Sequence, residues 1–376
     1  MRIVSALIMV GIACHVGAAC ASGYRVLFRF GLSNSELGYS PATGPVFGPH
    51  GGLFGTAGSG GAYDGGTLYR VTPTGKIQVL FNFPEYAFPY AQPSWDKFGD
   101  MFVPSAGAPK VIRTFIYIWA PDGRSTKIPL DFDGTDSPIG FDRDGNLVDD
   151  TDSFVYTTSP RTHRTIALRY FPDGSPTDGN LIQPGRLVMD AHGNLYGGTY
   201  LGGTLGQGTI FRLSPTGKET VLYNFPDPYG CAAPNSGLIL DAAGNLYGTT
   251  VGGTGQSCIF KLSASGQYTM LHQFTEQTEG YGTTGGLAVD AKGNFYGTNL
   301  EGGPQGGGTL FKYAPDGKLT ILYAFHQGPD YTGANGFTPN YGLAIDASGN
   351  IFGTTARGGT NNYLNPGYGV LFEYSP

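Results

Sequence analysis

The chain has 376 residues and a formal net charge of −6, with no cluster of Lys and Arg, which argues against a partner read through nucleic-acid phosphates. Only 13% of the residues are charged, whereas glycine fills 63 positions and phenylalanine and tyrosine 24 each. That composition suits many aromatic strands punctuated by glycine and excludes a chain built of amphipathic helices.

In chain order, Met1 and Arg2 precede an apolar run over residues 3–13, followed by small residues ending Ala19-Cys20-Ala21. This is the pattern of a secretory signal peptide occupying residues 1–21, cleaved to leave 22–376. The apolar run is shorter than the ~20 residues of a membrane-spanning helix. Gly17, where a lipoprotein signal usually carries Leu, argues against lipidation of Cys20. A secreted, periplasmic or cell-surface location is therefore expected.

Beyond the leader, a ten-residue unit recurs. Its clearest copy is 241–250 (DAAGNLYGTT), with close relatives at 190–199, 290–299 and 346–355 and decayed ones at 96–105 (DKFGDMFVPS) and 142–151 (DRDGNLVDDT). A remnant at 51–56 (GGLFGT) marks the first. Successive starts from Asp96 lie 46, 48, 51, 49 and 56 residues apart, the period of an array of small units.

Around 241–250 the unit reads as four strands. Residues 237–240 (GLIL) form the first and Asp241 to Asn245 a tight turn. The second strand is 246–250, the third 258–262 (CIFKL) and the fourth 267–274 (QYTMLHQF). Third strands recur as GTLYRV, GTIFRL, GTLFKY and GVLFEY, fourth strands as VLFNF, VLYNF and ILYAF, and Pro-x-Gly turns join them. Four antiparallel strands per 40–50 residues is the blade of a β-propeller, and the copies number seven. The prediction is all-β, a single domain over 22–376. Its last unit lacks a fourth strand, and residues 24–30 (YRVLFRF) match one, so pairing of 24–30 with 369–374 is expected to close the ring. Unit three is irregular: read with its turn at Pro172-Asp-Gly174, it leaves only about ten residues before the next first strand, so its fourth strand is expected to be short or absent.

The short turns of every blade fall on one face and the long loops on the other. Tyr86, Tyr90, Tyr229, Tyr281 and Tyr331 lie in those loops, which makes that face the candidate ligand surface. In unit three, Asp149, Asp150 and Asp152 break the repeat, with Arg161 and His163 read as sharing their loop. Arg186 stands at the channel mouth where other units have Gly237, Gly286 and Gly342. These residues are either a binding pocket or weak metal site, or the solvated acids of a decayed repeat. The D-x-x-G-N turn offers two oxygen side chains, far short of the six to eight ligands of calcium, and reads as a turn. Cys231 and Cys258 both map to the loop face and are expected to form a disulfide. No G-x-S-x-G or H-E-x-x-H pattern occurs, His192 and His272 are poorly placed as bases, and neither catalytic residues nor a metal or cofactor are assigned.

The motifs D-x-x-G-N-L-Y-G-T-T, G-T-x-F-[RK]-L-x-P-x-G-K and V-L-Y-x-F together resemble the GloVer tandem-repeat proteins, secreted bacterial proteins of which some carry a C-terminal anchor. No anchor motif follows Tyr374. The G-N-L-Y and P-x-G-K cadence is also similar to the streptogramin B lyases, seven-bladed propellers that use His and Glu with Mg²⁺, but no such pair maps onto this chain. The expected function is a monomeric extracellular module that binds a glycan, peptide or protein without chemistry of its own. The alternative is a lyase-like or glycan-active enzyme using Asp149, Asp150 and Arg186.

Overall fold

The computed structural model describes residues 23–31, 36–72, 75–107, 114–130, 138–150, 154–171, 179–182, 187–226, 231–252, 257–328, 333–359 and 367–376. The expected leader, with Cys20, lies outside them, as do Asp152, Arg186, Tyr229 and Tyr331. Seven antiparallel sheets follow one another as the blades of a propeller, numbered here from the N-terminus. The one helix among the described residues is the single turn Glu276–Glu279.

Blade 5 shows how sequence makes a blade. Ile239–Leu240 pairs with Leu246–Thr250, that strand with Cys258–Leu262, and that with Tyr268–Gln273. The first hairpin closes because Gly244 takes a φ of 81°, open to glycine at no steric cost. The Asp241 carboxylate also folds back on the turn, accepting from the Ala243 and Asn245 backbone N–H groups at 2.9 and 2.8 Å. Its second oxygen accepts from the Asn245 amide at 2.8 Å and the Tyr247 hydroxyl at 3.2 Å. Asp190, Asp290 and Asp346 repeat the backbone and amide bonds in their own turns.

The glycine of Y-G-T-T is a packing residue. Gly248 pairs with Phe260, and a Cβ on it would lie 2.8 Å from the Phe260 ring and 2.8 Å from Leu238. Gly197, Gly297 and Gly353 face Phe211, Phe311 and Phe372 in the same way. These phenylalanines are fully buried, so the core is a ring of aromatic side chains wedged between blades. The fourth strand of blades 1 and 4 carries Asn82 and Asn224, whose side-chain oxygens accept from Ala62 and Thr204 N–H in the glycine-rich loop of the same blade.

Gly23–Arg29 pairs antiparallel with Val370–Ser375, so the N-terminal strand does complete blade 7 and close the ring. Tyr24 stacks on Tyr323 of blade 6 with ring centroids 3.9 Å apart, while Phe30 packs against Tyr69 of blade 1.

Two expectations change. Blade 3 has a complete fourth strand, Thr165–Tyr170, paired with Phe154–Thr158. The connecting turn is made by Ser159 and Arg164, with His163 N–H donating to the Ser159 carbonyl, upstream of the Pro172-Asp-Gly174 signal that suggested a later turn. The innermost strand is also not continuous. In blade 1, Tyr39–Pro41 and Val46–Phe47 pair separately with Leu53–Ser59. Blades 2 and 4 repeat this split, and isolated bridges Pro234↔Thr250, Tyr281↔Glu301 and Phe337↔Arg357 take the place of the first piece in blades 5, 6 and 7. Between the two pieces the chain leaves the ladder and forms the rim of the central channel.

Candidate functional site at the channel mouth

The off-ladder rim segments enclose a cavity of about 680 Å³ on the loop-bearing face. Its lining is set by repeat position. Two residues ahead of the innermost pair stand Gly44, Gln92, Pro138, Gly237, Gly286 and Gly342, all of which line it. Two residues further upstream the lining residues are Ala42, Tyr90, Asn235, Thr284 and Asn340. Glycine sets the width of the mouth, since a Cβ on Gly44 would lie 1.8 Å from the Gly342 carbonyl oxygen and one on Gly285 2.4 Å from that of Tyr341.

The polar groups of the rim are held in place. Thr284 Oγ1 donates to Asn340 Oδ1 at 2.7 Å, and Gln92 Nε2 donates to the Gly44 carbonyl at 2.9 Å, across the gap between blades 2 and 1. Beneath the rim, Ser236 and Thr249 share a hydrogen bond of 2.7 Å and Thr249 donates to the Thr283 carbonyl at 3.0 Å, joining blades 5 and 6. Thr43, Thr56 and Thr354 do the same between blades 7 and 1, at 3.1 and 3.0 Å. Tyr90 is the aromatic element of the mouth, 41% exposed. It lies over Gly58, where a Cβ would meet its ring at 2.9 Å, and stacks on Phe88 with centroids 5.7 Å apart.

The structure distributes the sequence-derived candidates widely. Tyr90 lines the cavity; Tyr86 is exposed on the loop approaching it, with a φ of 67°. Tyr281 lies outside the lining and donates to Glu301 Oε2 at 2.6 Å. That bond first, and burial second, push its phenol up to about 12. Asp149 and Asp150 are buried at 1% and 3% exposure and do not line the cavity. Asp149 stands at the packing-glycine position opposite Tyr156, which takes the place of phenylalanine and donates its hydroxyl to the carboxylate at 3.1 Å. His163 does not share their loop. Leu147 pairs with Thr158 and Asp150 with Val155, which puts His163 and Arg161 at the opposite end of the strand pair, in an exposed turn.

The sequence reading missed Gln92, Asn235, Thr284, Asn340 and Tyr341. Counting six residues back from the turn Asp of each unit puts Tyr90, Asn235, Thr284 and Asn340 in one column of polar and aromatic residues. The expected disulfide is present. Cys231 and Cys258, with Cα atoms 5.5 Å apart, tie the loop entering blade 5 to its third strand.

On the turn-bearing face the acids are committed to structure. Burial opposes ionisation of Asp190, but bonds from the Asn194 side chain and backbone, the His192 N–H and the Tyr196 hydroxyl outweigh it and hold the carboxyl at about 2. The same competition lowers Asp241 and Asp290. With both oxygens occupied by the turn, these acids serve as caps.

Fold and cavity together define a seven-bladed repeat propeller with a ligand-sized mouth on its loop face. Residues 140–372 match the Gloeobacter/Verrucomicrobia repeat, and the chain belongs to that family. Among solved structures it is similar to the extracellular domain of the hybrid two-component system BT3049 from B. thetaiotaomicron. Identity is 13% and the TM-score 0.62, covering 95% of this chain and 41% of the other. It is also similar to the extracellular domain of the one-component system BT4673 from the same organism, at 14% identity and TM-score 0.60, covering 93% of this chain and 39% of the other. This chain thus spans about two fifths of those chains, and the likeness is one of fold. A search of curated protein sequences gives no match. No helix among the described residues is long and apolar enough to cross a membrane.

Proposed function

We propose that the protein is an extracellular binding module, exported by its leader, that takes a glycan, peptide or protein ligand at the channel mouth on the loop-bearing face, without chemistry of its own. One observation carries this reading. Tyr90, Asn235, Thr284 and Asn340 converge from one repeat position on a cavity of about 680 Å³, the size range of ligand sites. Loops held by a rigid scaffold are where binding residues concentrate, and here the scaffold is a closed ring. The solved relatives by fold are extracellular domains of sensor systems, which agrees with export and recognition. Asp149, bonded to Tyr156 outside the cavity lining, supports packing more than catalysis in blade 3. The test is to screen the protein against oligosaccharide and peptide libraries and follow amide exchange of a bound complex. Slowed exchange at residues 235–238 and 340–343 is expected. Protection confined to the 241–245 and 346–350 turns would overturn the proposal.

A further inference from the structure

We infer that the ligand of the mouth is an uncharged saccharide chain, with Tyr90 as its stacking platform and the amides of Asn235, Asn340 and Gln92 reading its hydroxyls. This rests on the channel mouth being the binding site. Among the described residues, the lining contains no Asp, Glu, Lys, Arg or His. Where a ligand meets these residues, a charge on it would shed hydration without gaining a counter-charge, so recognition there falls to hydrogen bonding and apolar contact. A sugar hydroxyl is at once donor and acceptor, and a side-chain amide is its complement because it also offers both.

The rim is arranged for such an exchange. The Thr284 hydroxyl donates to Asn340 Oδ1, which fixes that amide and leaves its N–H groups to point elsewhere. Gln92 spends one N–H on the Gly44 carbonyl, which fixes that amide at the cavity wall and leaves its second N–H and its oxygen as donor and acceptor. Leu238, Leu287, Leu343 and Pro138 supply apolar surface among these polar groups, matching the mixed C–H and O–H faces of a pyranose.

Tyr90 adds a flat surface. Gly58 has no side chain to lift the ring off the backbone of blade 1, and Phe88 backs it at 18° between ring planes. The ring is therefore held with one face against protein while 41% of the residue stays exposed at the mouth. A rigid aromatic plane beside amides suits a sugar ring, whose apolar face packs on it while its hydroxyls find the amides. A peptide in extended form would instead seek a free strand edge to extend. The innermost strands offer little edge, because each is a two-residue pair next to a rim that has left the ladder.

Calorimetric titration of the intact protein with neutral cello-, malto-, manno- and xylo-hexasaccharides, with hexagalacturonate and with a capped hexapeptide tests the inference. At least one neutral hexasaccharide should bind. Tyr90→Ala should weaken it by about ten-fold, the scale of one lost stacking contact, and Tyr90→Phe should change it little. Tyr90→Phe should melt with the native protein, and Tyr90→Ala, which loses packing on Gly58 and Phe88, should melt somewhat lower yet stay folded at the titration temperature. Failure of all four neutral sugars, binding of only the uronate or the peptide, or indifference to Tyr90→Ala overturns the saccharide assignment. Asn235→Trp separates the two readings. If a uronate or peptide binds and this variant abolishes it, the mouth stands as the site and only the ligand class falls; if binding of every probe survives it, the mouth falls as well.

Discussion

On the turn-bearing face, Asp241 bends its carboxylate back onto four donors of its own hairpin, Asp190 and Asp290 do likewise in theirs, and Asp346, with Phe352 in place of the tyrosine, takes three. On the loop-bearing face, Asn235 and Asn340 hold amides at the rim of a cavity and Tyr90 leaves a ring partly in solvent. Both faces are rich in polar side chains, yet one set is consumed by folding and the other is presented. Repetition of identity marks the first, where every blade needs the same turn. Repetition of position with change of identity marks the second, where the blades share geometry and contribute different chemistry.

Ring closure underlies both faces, so removing it should have the largest effect. Deleting residues 23–30 strips the outer strand from blade 7 and takes Tyr24 and Phe30 from their packing against blades 6 and 1. The melting temperature should fall by roughly 10 °C or more, and an unchanged transition would contradict closure by this strand.

A turn-face substitution should separate stability from binding. Asp241→Ala removes four hydrogen bonds and should cost about 2 kcal/mol in denaturant unfolding at pH 7, while leaving ligand affinity unchanged. The sign of its pH dependence follows from the lowered Asp241 carboxyl. A group whose folded pKa is depressed stabilises above its unfolded value, about 3.9, and that contribution is lost as pH falls through the folded value. The difference between native protein and variant should therefore shrink on acidification from pH 5 toward 2. A difference that stayed constant would show that the carboxylate does not carry the turn.

The smallest effect separates two equivalent hydroxyls. Thr249 bonds Ser236 and the Thr283 carbonyl, whereas Thr298, at the same position one blade on, is buried with no hydrogen-bond partner for its Oγ1 among the described residues. Blade 6 has Gly285 where blade 5 has Ser236, so the partner hydroxyl is missing. Thr249→Val should destabilise by about 1–2 kcal/mol, and Thr298→Val should be neutral or slightly stabilising. Equal costs would mean that the inter-blade hydroxyl bonds contribute little.

Much of this architecture was legible in the sequence because hairpin turns and alternating strands are local: Gly244, the Asp241 cap and the 24–30 strand follow from short-range pattern. The rest depends on contacts between blades. Among the described residues, the breaks in the innermost strands lie beside rim segments such as Gly44 and Gly342, which meet although they are more than 290 residues apart in sequence. Asp149 looked functional because it replaces a glycine; its packing role becomes visible only through the register that sets it opposite Tyr156. His163 was placed with the acids because the Pro172-Asp-Gly174 signal outweighed the less conspicuous turn from Ser159 to Arg164. The mouth residues share a column without sharing an identity, so a search for repeated letters passes over them.

The central claim is that recognition belongs to the loop face and stability to the turn face. The most direct measurement pairs Asn235→Trp, which fills the mouth, with Ala243→Trp, which adds the same bulk to the exposed turn of the same blade, and compares their affinity for one bound oligosaccharide or peptide. Loss of binding in the first with native affinity in the second, at matching melting temperatures, is the predicted result. Native affinity in Asn235→Trp, or loss in Ala243→Trp, would contradict it.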